Sequence, residues 1–126
     1  MQHMSQLNFP DRVTLDPDRL VELCVSMGAG GAEGLIAKSM EDLAIGLCDV
    51  ESAYIAHDWP RIVAEANDLM PIAEHIGMTT FSRVLGDVAE CAHTVQPVAL
   101  AATLERLRRI AEKSLSAVWD MQDTNL

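Results

Sequence analysis

The chain has 126 residues, a length that suits one domain, and 49% of them are apolar, enough for a real core. Its formal net charge of -10 argues against nucleic acid and anionic membrane as partners, because both repel such a chain at long range. Aromatic residues are scarce, and Ala, Leu, Val, Ile and Met carry the apolar mass, which favours close-packed helices over a β-sandwich.

No unbroken apolar run reaches the ~18–20 residues of a membrane span, so none is expected. The opening MQHMSQLNFPDR has neither a basic start nor an apolar h-region, so no secretory signal is expected. Cys24, Cys48 and Cys91 are widely spaced, with no C-x-x-C pair. They read as reduced, mostly buried thiols of a cytoplasmic protein.

Residues 1–15 read as a loose leader. Asp16 then offers an N-cap, Pro17 a first helical position and Asp18 a favourable first-turn charge. Leu20, Leu23, Cys24 and Met27 mark one face of a short helix, and Gly28-Ala29-Gly30-Gly31 is expected to end it as a flexible turn. The glycines do not form G-x-G-x-x-G and follow no strand, so a phosphate cradle is a weak reading.

A long helix is predicted over 32–56. Ile36, Met40, Leu43, Leu47, Val50 and Tyr54 step by four and three, the spacing of a bundle seam. Gly46 interrupts it at a cost of ~1 kcal/mol relative to Ala and leaves room for a neighbouring helix. Asp58 caps the next helix, with Pro60 in its first turn. Trp59, Ile62, Val63, Ala66, Leu69, Met70, Ala73 and Ile76 form its buried stripe, and Gly77 is its C′ stop.

Thr79 or Thr80 is expected to cap the fourth helix, with Phe81, Val84, Leu85, Val88, Ala92 and Val95 turned inward. Pro97 opens the last helix, whose apolar face is Leu100, Leu104, Leu107, Ile110, Leu115, Val118 and Trp119. Residues 122–126 read as a polar tail. No useful period-2 alternation appears. The expected fold is all-α: an up-down four-helix bundle over 16–121, with a short additional N-terminal helix.

The third of these helices carries Asn67-Asp68-Leu69-Met70-Pro71-Ile72-Ala73-Glu74-His75-Ile76-Gly77. This stretch resembles the phosphorylation helix of the histidine phosphotransfer (HPt) family, written H-x-L-K-G-x5-G. Leu69 and Gly77 match. Asn67 stands at the position of the phospho-accepting His, Met70 at the Lys and Pro71 at the first Gly. The likeness extends over about 15–119 through the order of helices and the Asp58-Trp59 pair.

The resemblance implies a two-component phosphorelay module that has lost its nucleophile. An imidazole lone pair can accept and release a phosphoryl group, whereas an Asn amide nitrogen is delocalised into its carbonyl and can only hydrogen-bond. Pro71 lacks the N–H that the Asn67 carbonyl would accept, so a kink or local loosening is expected. The implied role is docking on a response-regulator receiver domain or a histidine kinase through Ala64, Asn67, Pro71 and Glu74. Asn67, Pro71 and Glu74 run down one flank of the stripe, and Ala64 lies one turn earlier.

Plainer readings stand beside these. Asn67 also fits an ordinary solvent-facing position, and Met70 a core position. His75 is the one candidate for a relocated phospho-acceptor, on the opposite side of the helix from the stripe. A homodimer through the helix at 32–56 is a structural alternative. Arg106, Arg108, Arg109 and Lys113 alternate with Glu105 and Glu112, which reads as a solvated mixed-charge face, or as a patch for an acidic partner. His3, His57, His75 and His93 are scattered, and Cys91 and His93 fall on different faces of a helix, so no metal site is expected. No cofactor motif and no enzyme motif is present.

Overall fold

Four helices make up nearly all of residues 15–124, the part that the computed structural model describes, with side chains at every position except 115 and 118–124. They are α1 (Pro17–Ile55), α2 (Trp59–His75), α3 (Thr79–His93) and α4 (Pro97–Thr124). No strand occurs among the described residues. Three-residue connections at 56–58, 76–78 and 94–96 keep consecutive helices packed on each other. The result is an all-α four-helix bundle.

The two aspartate caps form as their positions demand. Asp16 Oδ1 accepts from the Arg19 N–H at 3.3 Å, and Asp58 Oδ1 from the Arg61 N–H at 3.2 Å. Asp58 satisfies a donor that the first helical turn leaves without a backbone partner, whereas Asp16 shares the Arg19 N–H with its own carbonyl, which accepts at 3.1 Å. Pro17 and Pro60 follow in their first turns, where no N–H is needed.

The three helix ends share one geometry. After α2, Gly77 N–H donates to Glu74 C=O at 3.1 Å and Met78 N–H to Ala73 C=O at 2.9 Å. This is the paired bonding of a Schellman ending, with Gly77 left-handed at φ 78°. The same pairs close α1 (His57 to Tyr54, Asp58 to Ala53) and α3 (Val95 to Ala92, Gln96 to Cys91). There the left-handed residue is His57 at φ 56° and Val95 at φ 50°. Adopting this geometry turns Val95 outward, 55% exposed, where the sequence pattern expects it inside.

The short leading helix is not set apart by a connecting loop. Pro17–Ile55 joins two helical stretches across a kink at Gly28, which alone leaves helical geometry, at φ 78° and ψ 160°. Gly30, Gly31 and Gly34 stay helical between Ala29, Ala32 and Glu33. Burial of Ala32 and Ile36 holds that turn against the bundle despite the weak helix propensity of glycine. By length and composition alone, α1 could also cross a membrane. The uncharged stretch around these glycines raises its mean hydropathy, although Leu20, Leu23, Ala32 and Ile36 lie in the protein core. At the other end, α4 continues to Thr124, into the stretch expected as a tail.

The seam of α1 and the stripe of α2 meet as the spacing predicts. Ile36, Met40, Leu43 and Val50 are buried against Ile62, Ala66, Leu69, Ala73 and Ile76 in one core, with Leu47, Tyr54, Trp59, Val63 and Met70 partly buried around it. At Gly46 the two helices touch: a Cβ there would lie 2.3 Å from Leu69 Cδ2. Phe81, Val84, Leu85, Val88 and Ala92 of α3, with Leu100, Leu104, Leu107 and Ile110 of α4, complete the core. The side chains of Leu115, Val118 and Trp119 lie outside the described residues. Thr79 and Thr80 are inside α3 and do not cap it. The cap position falls to Met78, which makes no side-chain cap bond and is fully buried, so packing rather than capping fixes this start.

Candidate functional site

Helix α2 presents the candidate face. Its buried stripe fixes the rotation of the helix, and that rotation leaves Ala64, Asn67, Pro71 and Glu74 exposed. Steps of three and four place them on one continuous strip along the helix. Asn67 offers an amide that both donates and accepts, open to solvent. Glu74 is tied down: its Oε2 accepts from the Ser82 hydroxyl of α3 at 2.9 Å. One edge of the strip therefore has a fixed negative charge.

Pro71 does not break α2, which runs uninterrupted from Trp59 to His75. Asn67 and Pro71 are both exposed, so the Asn67 carbonyl that loses its i+4 donor faces water and can bond to it. Met70 packs inward beside Gly86 of α3, where an added Cβ would lie 3.4 Å from Met70 Cε. It acts as a core residue.

His75 is exposed but held. Arg19 Nε donates to the His75 carbonyl at 2.9 Å, and Arg19 Nη2 lies 2.9 Å from His75 Nδ1. A guanidinium only donates, so Nδ1 must be the acceptor and the ring proton sits on Nε2. In this state neither ring nitrogen offers a free lone pair: one is engaged and the other protonated. Arg19 gives no signal in the sequence, because its partner is 56 residues away.

Three arginines of α4 are engaged in ion pairs. Arg108 meets Glu105 at 2.6 Å and Glu51 of α1 at 3.7 Å, Arg109 meets Glu105 at 3.9 Å, and Arg106 meets Asp87 of α3 at 3.8 Å. This is a mixed-charge, solvated face. Between α1 and α4 lies a mainly apolar cleft of about 240 Å³, lined by Leu47, Cys48, Leu104, Leu107 and Ala111 among others. Another, of about 400 Å³, lies between Trp59, Pro60, Val63, Ala92, His93 and Val95. The first cleft is also bordered by Glu51, Arg108 and Glu112.

All three cysteines are free, and Cys24 and Cys48 are exposed rather than buried. Cys24 falls on the outer side of the leading turn segment, whose core contacts are made by Leu20 and Leu23, while Cys48 borders the α1–α4 cleft. Among the described residues, no three His, Cys, Asp or Glu side chains come together as a metal-holding group. No family model, no curated protein and no solved structure matches this chain.

Proposed function

We propose that this protein is a phosphorelay docking module resembling an HPt domain, with an up-down bundle that binds a response-regulator receiver domain or a histidine kinase and passes no phosphate. The observation that carries this reading is the exposed strip Ala64, Asn67, Pro71 and Glu74, in which Asn67 takes the place of the family's phospho-accepting His. An amide there supports hydrogen bonding to a partner and excludes phosphoryl transfer through its nitrogen. The free thiols fit a reducing compartment, and we place the protein in the cytoplasm.

His75 supports a working relay less well. Its Nδ1 is occupied by Arg19, and its Nε2 carries the proton. The reading is tested by incubating the purified protein with phosphorylated receiver domains from its own source. A complex without acid-labile label on this chain is the expected result. Label that disappears in His75→Ala would replace docking with transfer, and the absence of any complex would remove both.

A further inference from the structure

The bundle is not closed equally on all sides. Consecutive helices pack closely, whereas the backbones of α1 and α4 hardly come within 8 Å of each other. The opening between them is the cleft of about 240 Å³. Val50 of α1 and Leu104, Leu107 and Ala111 of α4 line it and are buried core residues, so the cleft reaches down to the core. An apolar cavity of about 150 Å³ holds a benzene ring. This cleft therefore has room for about two fused rings, below the ~300 Å³ at which sites for drug-sized ligands begin.

The charges at its edge select the guest. Arg108 reaches from α4 to Glu51 of α1 at 3.7 Å and also holds Glu105 at 2.6 Å. Its guanidinium is thus shared between two carboxylates already, and an anionic guest would meet Glu51 and Glu112 beside it. Glu112 lies one helical turn on from Arg108, exposed and with no ion-pair or hydrogen-bond partner among the described residues. An apolar floor with a few polar groups at its edge is the usual form of a small-molecule site. The unpaired charge here is negative, on a chain of net charge -10, so its complement is a cation.

We propose that the α1–α4 cleft binds a small organic cation, with an apolar body of one or two rings seated on Leu104 and Leu107 and an ammonium group on the Glu112 carboxylate. The site shares no residue with the strip on α2, so it stands whether or not that strip docks a receiver. Cys48 gives it a reporter. Its thiol borders the cleft and is exposed, so a guest in the cleft covers it. Cys24 is exposed as well but does not line the cleft, and it reports any effect that is not local.

The test follows alkylation of each cysteine by iodoacetamide at pH 7, read by peptide mass spectrometry, with naphthylmethylamine as the probe. A dissociation constant of about 1 mM is reasonable for so small a molecule, so about 4 mM probe should slow Cys48 about fivefold. Cys24 should keep its rate. Naphthoate, of the same size and opposite charge, should leave both thiols unprotected. Glu112→Gln should remove most of the protection, and Glu33→Gln, an exposed carboxylate on the leading half of α1, should leave it intact. The proposal is overturned by an unprotected Cys48, by equal slowing of Cys24, by naphthoate protecting as well as the amine, or by full protection in Glu112→Gln. Cys48 protection that rises with protein concentration and ignores the amine would also overturn it, and would put a second copy of the chain in the cleft.

Discussion

Replacing Gly46 with Ala tests the contact that seats α2 on α1. A Cβ at this position would meet Leu69 Cδ2 at 2.3 Å, Cδ1 at 2.8 Å and Cγ at 2.9 Å. Leu69 is only 5% exposed and has little room to retreat. Overpacking of this kind costs ~1–3 kcal/mol. Helix propensity returns ~1 kcal/mol, because alanine is the better helix former. Gly46→Ala is therefore expected to destabilise by up to ~2 kcal/mol. Leu69→Ala alone should cost ~2–5 kcal/mol. With Leu69 truncated the clash is gone, so adding Gly46→Ala should stabilise by ~1 kcal/mol. Urea unfolding followed by helical circular dichroism gives the four free energies of the cycle. The two changes should couple by ~1–3 kcal/mol, with Gly46→Ala reversing sign between backgrounds. The same effect in both backgrounds would mean that α1 and α2 do not meet at this point.

Three further outcomes are expected. Gly77→Ala forces a side chain into the left-handed region and within 2.8 Å of the Asp16 carbonyl, so it should lower stability by ~2 kcal/mol in the same assay. Asp58→Ala removes the cap on α2 and should cost ~1 kcal/mol, with Asp58→Asn recovering most of it. Lys38 is held above the ordinary 10.5, first by its hydrogen bond to Asp42 and then by that carboxylate's charge. This contribution is complete below 10.5 and is lost as pH rises through the folded value, so Asp42→Ala should bring the Lys38 titration down in an NMR experiment.

The helices were legible where one local rule decided the outcome. Asp16 and Asp58 sit before Pro-containing first turns, and Gly77 follows an apolar stripe, so caps and stop could be read directly. The seam from Ile36 to Tyr54 was visible as spacing. Reading failed where tertiary demands outweighed local chemistry. Met78 starts α3 because the core takes its side chain, although two threonines follow it. Val95 closes α3 in a left-handed conformation that glycine would adopt more readily, and so leaves the core. The glycines at 28–31 bend the chain once, at Gly28, because Ala32 and Ile36 anchor the next turn.

The candidate site was legible in part for the same reason. Helical periodicity places Ala64, Asn67, Pro71 and Glu74 on one flank, and the structure leaves all four exposed. The grip of Arg19 on His75 and the Ser82 bond to Glu74 join separate helices, and no spacing along the chain encodes them.

The most direct test is the affinity of the purified protein for unphosphorylated receiver domains from its source, measured by calorimetry beside Asn67→Arg and Glu74→Arg. Docking through α2 predicts binding to at least one receiver, weakened at least tenfold by either change, with the fold intact by circular dichroism. It also predicts a contact that added salt weakens, as expected for the fixed charge at Glu74. Binding unaffected by both substitutions would place the interface elsewhere, and no binding to any receiver or kinase would contradict the proposed role.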